Sequence, residues 1–368
     1  MTSKIFFVTG ELSGDKVAAI YLQNLKKENP NIAVQAIGGD ALASSGAPIY
    51  KRFEELNVTG ITEIIKHIPR LLSLMSKLAK HIISNQFDEI VLVDFPGFNM
   101  RLGKILKKKN PNLKITYLCP PQMWCWGAWR IKKLKQIADK VVVIYPFEVE
   151  WYKNKGLETE WLGNPVFMRL KPYINDAQPN LNMMAIIPGS RKSEIIALLP
   201  QFAEAAYELS KLYPNLKFVI PIAESLPFDF LQNQISKSAL GAIADKVEFA
   251  RGEEAKIMAL QTCCLALSKP GTITLELALL GIPTAVAYKT SWLSYLIARL
   301  LVKVKYMSLP NLLLGQEIFP EIIQQKFTSS NIVAKLKSMY EGITTKSQDL
   351  DELKNKLRLL KKSLDNTY

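Results

Sequence analysis

The chain has 368 residues and a formal net charge of +14, with 48% hydrophobic and 22% charged residues. This length and composition favour two folded domains and exclude a chain that is disordered throughout. The positive charge indicates an anionic partner, which would be nucleic acid, a membrane surface or a phosphorylated substrate.

Cysteine and histidine are scarce, and neither suggests a metal site. The four cysteines are Cys119, Cys125, Cys263 and Cys264. Their spacing matches no zinc pattern, and adjacent cysteines are poor disulfide partners, so we expect reduced, buried thiols as in cytosolic proteins. The N-terminal MTSKIFFVTG has too short an apolar run for a signal peptide, and no stretch is long and uncharged enough to span a bilayer.

Strand and helix patterns alternate along the chain, which predicts parallel sheets with crossover helices. The predicted strands of the first half lie near 4–9, 33–37, 89–93, 113–118 and 140–144. Those of the second half lie near 183–187, 216–221, 246–250, 264–268 and 283–288. Helices fill the gaps, for example Lys16–Glu28 and Glu194–Leu212.

A linker composition separates the two halves. Residues 170–182, LKPYINDAQPNLN, contain Pro172, Pro179 and several Asn. We therefore predict two doubly wound domains, 1–169 and 170–345, with the ligand cleft between them. The charged amphipathic helix at about 346–368 is predicted to pack on the first domain or on a partner chain.

Two loops of the first half could hold a substrate. TGELSGD, residues 9–15, follows the first strand, and its glycines would let the backbone approach a ligand at a helix N-terminus. DEIVLVDFPGFN, residues 88–99, ends a buried strand on Asp94. Ligands bind at the carboxyl ends of strands in open α/β sheets, so Asp94 is a candidate base, although an N-cap or turn role is equally open from the residues alone.

Three segments of the second half suit a nucleotide. IPGSRKSE, 187–194, places a glycine turn and Arg191 at a helix start, which suits a phosphate. In SKPGTITLE, 268–276, the N–H groups of Gly271 and Thr272 would face a pyrophosphate, and Glu276 lies one helical turn further on, where it could accept hydrogen bonds from ribose hydroxyls. The third segment, YMSLPNLLLGQEIFPEIIQ, 306–324, offers two neutral hydrogen-bonding side chains, Asn311 and Gln324.

The ordered series of motifs resembles the lipid A disaccharide synthase family over about residues 4–325. The motifs are GELSGD, VDFPGFN, PPQMWCW, YPFEVEWY, LGNP, IPGSRKSE, PGTITLE and YMSLPNLLLGQEIFPEIIQ. Each motif alone is weakly specific, whereas their order and spacing are highly specific.

The resemblance implies an α/β protein of the GT-B class, with two Rossmann-like lobes and the donor in the second. It implies an inverting glycosyltransferase that condenses UDP-2,3-diacylglucosamine with 2,3-diacylglucosamine 1-phosphate (lipid X) to the lipid A disaccharide 1-phosphate and UDP, in lipopolysaccharide biosynthesis. No metal and no cofactor are implied. The family is also described as a homodimer with exchanged C-terminal elements, peripheral on the cytoplasmic face of the inner membrane of Gram-negative-type bacteria.

The resemblance also implies roles for individual residues. Asp94 matches the proposed general base. The residues that would shape the acceptor side are Glu11, Ser13, Gly14, Asp15 and Asn99. The residues that would hold UDP are Gly189, Ser190, Arg191, Gly271, Thr272, Glu276, Asn311 and Gln324.

The chain departs from the family pattern at several positions. Gly97 replaces the second acid of the usual D-x-P-D-F-N motif, and Asn164 replaces the usual His of Gly-His-Pro. Lys269-Pro270-Gly271-Thr272 stands where Ser-Gly-Thr is usual, so Pro270 removes one N–H donor from the phosphate loop and the charge of Lys269 is a candidate replacement.

Lipid substrates would require an apolar, basic entry surface. The stretches 64–83 and 291–307 mix apolar and basic residues and are candidates for contact with an anionic membrane, unless their apolar faces are core. The basic runs RLGKILKKKNPNLK and WRIKKLK either add electrostatic attraction or are solvated helix faces.

Other functions stay open at this stage. One is another GT-B enzyme acting on a UDP-sugar, such as a lipid-linked glycosyltransferase or a UDP-sugar epimerase, although the motifs of the first half argue against it. The others are a non-enzymatic bilobal binding protein and a nucleic-acid binder, the latter suggested by charge alone. The aromatic residues do not interleave with the basic runs as a stacking platform would, so no nucleic acid is expected as a partner.

Overall fold

The computed structural model describes residues 3–56, 61–175, 178–224, 226–292, 295–296, 299 and 304–365, and within 61–71 the course of a helix without its side chains. The chain divides into two units, Met1–Pro165 and Val166–Tyr368. The division falls four residues before the predicted one, because Arg169 forms ion pairs with Glu253 and Glu276 of the second unit.

The first unit contains a seven-stranded parallel sheet in the order β3-β2-β1-β4-β5-β6-β7. Its strands are β1 (Lys4–Val8), β2 (Ala33–Gly38), β3 (Ile49–Arg52), β4 (Glu89–Val93), β5 (Lys114–Leu118), β6 (Lys140–Val143) and β7 (Glu158–Trp161). Its helices are α1 (Leu12–Glu28), α2 (Asp40–Ser44), α3 (Ile61–Ser84), α4 (Pro96–Lys109), α5 (Ile131–Lys135) and α6 (Pro146–Lys153).

The second unit contains a six-stranded parallel sheet in the order β10-β9-β8-β11-β12-β13. Its strands are β8 (Asn180–Ile187), β9 (Lys217–Ile222), β10 (Val247–Arg251), β11 (Cys263–Ser268), β12 (Thr284–Tyr288) and β13 (Glu321–Ile323). Its helices are α7 (Pro165–Leu170), which begins at the boundary, α8 (Lys192–Leu212), α9 (Phe228–Ser236), α10 (Glu253–Gln261), α11 (Thr272–Leu279), α12 (Leu309–Leu314), α13 (Ser329–Thr344) and α14 (Gln348–Leu364).

The central strands are near-continuous apolar runs. KIFFV, EIVLV, KITYL and KVVV are each buried from their second residue onward. Such runs form strands that are covered by helices on both faces, which is the arrangement of parallel sheets in α/β proteins. All ten predicted strands are present, and β3, β7 and β13, which were not predicted, lie at sheet edges.

The C-terminal helix packs within the second unit. Leu357, Leu360 and Leu364 of α14 are buried, and α14 contacts α11, α12 and α13. Helices of its own unit therefore contact this helix, whereas the sequence-based expectation placed it on the first domain or on a partner chain.

The stretches predicted for membrane contact are only partly described. In the described half of 64–83, Met75, Leu78 and Ile82 are buried in the core of the first unit, so the core interpretation holds there. In 291–307 nine of the seventeen residues are described, and among them Trp292, Leu296 and Met307 are exposed. No helix in the described part of the chain is long and apolar enough to cross a membrane.

Candidate active site

Both units place their candidate residues at the same topological position. In each sheet the first strand lies between the second and the fourth, so the order of strand addition reverses there. The reversal lies between β1 and β4 in the first unit and between β8 and β11 in the second. Ligands of open α/β sheets bind at the carboxyl ends of the strands at such a switch point. The loops after β1, β4, β8 and β11 are the ones that the sequence singled out.

Asp94 follows β4 in an unusual backbone conformation. Asp94 and Phe95 have φ angles of 43° and 44°, in the left-handed region that non-glycine residues rarely adopt. The Asp94 carbonyl oxygen accepts hydrogen bonds from Tyr117 Oη at 2.8 Å and Asn99 Nδ2 at 3.0 Å. These bonds, with the Asp94 N–H to the Leu118 carbonyl at 2.9 Å, fix a turn that is costly by itself.

The electrostatic surroundings of Asp94 favour a base that works near neutral pH. Burial is the main cause that raises the pKa of Asp94 to about 6, and the negative charge of Glu11 is the second. A hydrogen bond from the Phe95 N–H lowers this pKa by a smaller amount. Among the described residues, no Lys, Arg or His forms an ion pair with Asp94. Its carboxylate therefore carries a charge at pH 7 that is not neutralised and is poised to take a proton.

The loop after β1 is shaped by close packing at Gly10. A Cβ atom at Gly10 would lie 2.3 Å from the Phe95 ring, so only glycine allows this loop and the loop after β4 to meet. Glu11 is the N-cap residue of α1, and no described side chain caps this helix start. The exposed Ser13 Oγ donates a hydrogen bond to Glu11 Oε1 at 2.5 Å.

Gly14 and Asp15 occupy buried positions in the first turn of α1. A Cβ at Gly14 would lie 3.6 Å from Val93 Cγ1, so this turn packs on the end of β4. The Asp15 carboxylate accepts hydrogen bonds from the N–H groups of Gly39 at 2.7 Å and Ala41 at 2.9 Å. Asp15 therefore holds the loop after β2, and both of its carboxylate oxygens are occupied by backbone N–H groups.

Asn99 is completely buried beneath Asp94. Its Nδ2 donates to the carbonyls of Val93 and Asp94, both at 3.0 Å, while its Oδ1 has no hydrogen-bond partner among the described atoms. Asn99 is therefore a positioning residue for the turn that carries Asp94.

The sequence reasoning missed Glu148, a buried carboxylate next to this site. Glu148 accepts hydrogen bonds from Trp124 Nε1 at 2.9 Å and from the Tyr145 N–H at 3.2 Å. Burial raises the pKa of Glu148 to about 7, and these hydrogen bonds lower it in part. The spacing Tyr145-Pro146-Phe147-Glu148, with proline first in the helix and glutamate at its third position, was the available signal.

In the second unit, Glu194 organises the glycine turn after β8. Its Oε2 accepts hydrogen bonds from the N–H groups of Ser190 at 2.9 Å and Arg191 at 3.3 Å. A Cβ at Gly189, whose φ is 150°, would lie 2.6 Å from Glu194 Cβ, so glycine is needed there. The start of α8 is thus capped by the protein itself, and the Arg191 side chain stays 81% exposed.

Lys269 connects this turn to the loop after β11. Its Nζ lies 2.8 Å from Glu194 Oε1, and a Cβ at Gly271 would lie 3.7 Å from the same Nζ. Gly271, with a φ of 148°, is the N-cap residue of α11, and no described side chain caps this helix. The N-terminus of α11, which begins at the exposed Thr272, therefore has free N–H groups and a cation beside them, an arrangement that suits an anion.

Glu276 has protein partners that the sequence did not reveal. Its Oε1 lies 2.7 Å from an Arg169 guanidinium nitrogen and its Oε2 lies 2.9 Å from Lys256 Nζ. Burial alone therefore does not require a sugar diol as its partner. The Oε2 atom nevertheless lacks a well-directed hydrogen bond and can still accept one.

Asn311 and Gln324 are occupied by backbone groups. Asn311 Oδ1 accepts from the N–H groups of Ile318 and Phe319, and its Nδ2 donates to Phe319 O and Glu321 Oε1, all within 2.9 Å. Gln324 exchanges two hydrogen bonds with the backbone of Thr290. In this arrangement both amides position loops, which differs from the expected direct contact with a nucleotide.

A family model described as Lipid-A-disaccharide synthetase matches residues 5–367. The chain belongs to this family. Lipid-A-disaccharide synthase of Rickettsia prowazekii is 34% identical over 349 residues, which cover 91% of this chain and 88% of the relative. The synthase of Geobacter sulfurreducens is 29% identical over 341 residues, covering 90% and 86%. The protein is therefore an enzyme, a glycosyltransferase of lipid A disaccharide synthesis.

Solved structures support the fold. UDP-GlcNAc 2-epimerase from Neisseria meningitidis superposes with a TM-score of 0.57 at 12% identity and covers 99% of both chains. MurG of Acinetobacter baumannii superposes with a TM-score of 0.55 at 14% identity, covering 98% of this chain and 95% of MurG. Together with the two parallel sheets, these similarities show the two-domain GT-B fold.

Proposed function

We propose that this glycosyltransferase joins UDP-2,3-diacylglucosamine to 2,3-diacylglucosamine 1-phosphate, with inversion at the anomeric carbon and release of UDP. The observation that carries the proposal is the turn at Asp94. A carboxylate with no cationic partner among the described residues, and with a pKa raised to about 6, is held at the carboxyl edge of the sheet.

In the proposed reaction Asp94 removes the proton from the acceptor 6-hydroxyl as that oxygen attacks the anomeric carbon. The bond between this carbon and the diphosphate oxygen breaks, and UDP leaves with the electron pair. Glu11 and Ser13 line the acceptor side of Asp94, while Gly14, Asp15 and Asn99 hold the backbone around it.

The second unit is proposed to hold the UDP group. The N–H groups at the start of α11, near Gly271 and Thr272, would stabilise the negative charge on the leaving diphosphate, together with the exposed Arg191. Gly189 and Ser190 would form the opposite wall of the phosphate loop, and Glu276 Oε2 would accept a ribose hydroxyl. Asn311 and Gln324 would act by fixing the loops.

We also propose that the enzyme works peripherally on the cytoplasmic face of the inner membrane, where a lipid acceptor is available. The homodimer with exchanged C-terminal elements that the family resemblance implies is part of this proposal. Sedimentation velocity of the full chain would test it.

The test is formation of disaccharide 1-phosphate by the wild type and by Asp94→Asn. Asparagine tolerates the left-handed backbone, so the variant removes the charge and keeps the turn. We expect a loss in kcat of about 10² to 10⁴-fold. Asp88→Asn, at the opposite end of β4, is the matched control and should retain activity.

Equal activity in the wild type and Asp94→Asn would keep the enzyme and remove Asp94 as its base. A folded wild type that binds UDP and forms no product would instead indicate another reaction of a UDP-sugar.

A further inference from the structure

One long segment of the first unit carries only positive charge. Residues 95–138 contain no Asp or Glu. Their basic residues are Arg101, Lys104, Lys107, Lys108, Lys109, Lys114, Arg130, Lys132, Lys133 and Lys135. The segment spans α4, β5 and α5, so its charge is concentrated on one part of the fold.

The structure brings these charges onto one surface. A Cβ at Gly103 of α4 would lie 3.1 Å from Ile137 Cδ1, just after α5, so the two helices are neighbours on the same side of the sheet. On α4 the exposed positions Arg101, Lys104 and Lys108 follow helical spacing. On α5, Lys132 and Lys133 are exposed, whereas the next residue, Leu134, is buried.

Few of these cations are neutralised. Lys107 pairs with Asp139 at 2.8 Å and Lys114 pairs with Glu89 at 3.2 Å. Within the described parts of the chain, the other eight form no ion pair with an acidic side chain. Their field is therefore available to an external anion.

Two exposed tryptophans border the basic surface. Trp126 is 42% exposed and Trp129 is 66% exposed. The guanidinium of Arg130 lies 4.3 Å from the ring centroid of Trp126, and Lys133 Nζ lies 5.6 Å from that of Trp129.

The tryptophans sit on an anchored loop. Met123 and Pro121 before them are buried, and Trp124 is hydrogen-bonded to Glu148. This loop follows β5, so it lies at the carboxyl edge of the sheet, the same edge as Asp94. The exposure of Trp126 and Trp129 is thus built into the loop.

We propose that Arg101, Lys104, Lys132 and Lys133 with Trp126 and Trp129, here called the α4–α5 face, form a docking surface for an anionic lipid bilayer. Tryptophan is favoured at the level of lipid headgroups, where its ring is partly apolar and its N–H is hydrated. Basic residues beside it are attracted to anionic headgroups. The face deepens the proposed function, because it would bring the edge that carries Asp94 to the surface where lipid substrates reside.

The α4–α5 face differs from residues 72–84, where Met75, Leu78 and Ile82 are buried in the core and Leu72 is exposed. On the α4–α5 face both tryptophans are exposed, and the cations form no ion pair among the described residues. Charge and interfacial aromatics therefore coincide on the α4–α5 face.

The test measures co-sedimentation of the full chain with vesicles of phosphatidylglycerol and phosphatidylcholine, without substrates. We expect binding that disappears with pure phosphatidylcholine and weakens in high salt. The double variant Lys132→Gln/Lys133→Gln should bind about 25-fold more weakly, at about fivefold per lysine. Trp129→Ser should lose roughly tenfold.

Matched controls lie on the second unit. Lys237→Gln/Lys354→Gln removes two exposed lysines, and Met258→Ser removes an apolar side chain that is 58% exposed. Both should bind vesicles like the wild type. Face variants that bind as the wild type does, or controls that weaken equally, would overturn the proposal. Tighter binding to a 30-bp DNA duplex than to the anionic vesicles, lost in the same variants, would overturn it in favour of a nucleic acid.

A catalytic readout separates this proposal from the proposed reaction. The face variants should turn over detergent-dispersed substrates at the wild-type rate and melt at the wild-type temperature. If neither the wild type nor the variants form the disaccharide, but vesicle binding changes as predicted, the proposed reaction is wrong and the docking surface is supported.

Discussion

Glu11 and Asp94 follow adjacent strands, and the negative charge of Glu11 acts on the pKa of Asp94 in a direction that can be measured. Glu11 contributes to the raised pKa of Asp94, after burial. Glu11→Gln removes a negative charge, so it should lower the pKa of Asp94 and move the acidic limb of the pH profile of kcat/KM to lower pH. The acidic limb of the wild type should lie near pH 6. Because burial is the larger cause of the raised pKa of Asp94, Glu11→Gln should remove only part of the pKa shift.

Ser13→Ala serves as the control for this prediction, because it removes the hydrogen bond to Glu11 without changing charge. An acidic limb that stays in place in Glu11→Gln would mean that a group other than Asp94 controls the profile.

Lys269 and Pro270 form a second pair at the residue scale. We predict that the ammonium of Lys269 takes over from the N–H donor that Pro270 lacks, because its Nζ lies beside the uncapped start of α11. Lys269→Met should weaken UDP binding about tenfold or more, as expected for a charge-assisted hydrogen bond, and should leave uridine binding nearly unchanged. Isothermal titration with UDP and uridine measures both.

Adding Pro270→Ser to Lys269→Met supplies an N–H and should recover part of the UDP affinity. Lys211→Met, at an exposed lysine of the same unit, is the control. An equal loss for UDP and uridine would show that Lys269 only ties Glu194 in place.

At this scale the sequence predicted where functional groups lie better than what they touch. Asp94, Gly189 and Gly271 were placed correctly at strand ends because strand–turn–helix patterns are local in sequence. The partners of Asp15 lie 24 and 26 residues further on, and Glu276 is paired with Arg169 from another helix. Such partners depend on tertiary packing, which no local pattern encodes.

At the scale of elements, Glu148 joins α6 to the loop after β5. Its pKa is raised from 4.5 to about 7, so the folded state retains a proton that the unfolded state has lost. Stability from this group is therefore present below about pH 4.5 and decreases as the pH rises to about 7. The decrease amounts to about 3 kcal/mol at most.

Glu148→Gln should flatten the fall in the free energy of unfolding between pH 5 and pH 7.5, measured by urea denaturation at several pH values. The variant loses one acceptor and is less stable overall, so the diagnostic quantity is the slope. Glu150→Gln, at an exposed position of the same helix, is the matched variant and should keep the wild-type slope. An unchanged slope in Glu148→Gln would rule out this buried carboxylate as the titrating group.

Element boundaries show where sequence patterns lose information. Strands buried on both faces were found because their apolar runs are continuous, whereas the edge strand β3, IYKR, is half-exposed and β13 has only three residues. Helix α1 begins at Leu12, four residues before the predicted start, because its first turn contains Ser13 and Gly14, which are weak helix formers.

At the scale of the whole molecule, the alternation of strands and helices was sufficient to predict two parallel α/β domains. It did not locate their boundary, since the ion pairs of Arg169 that draw α7 into the second unit join residues far apart in the sequence. It also did not predict where α14 packs, because an amphipathic helix does not specify which surface will cover its apolar stripe.

The strand order also has a consequence for synthesis on the ribosome. In each unit the strand made first becomes an interior strand of the sheet, and one of its edges stays unpaired until a much later strand is made. β1 ends at Val8 and β4 begins at Glu89, while β8 ends at Ile187 and β11 begins at Cys263. Until then an apolar strand edge is open to incorrect pairing. Nascent chains released between residues 38 and 89, or between residues 222 and 263, should therefore be the ones that chaperones retain most strongly.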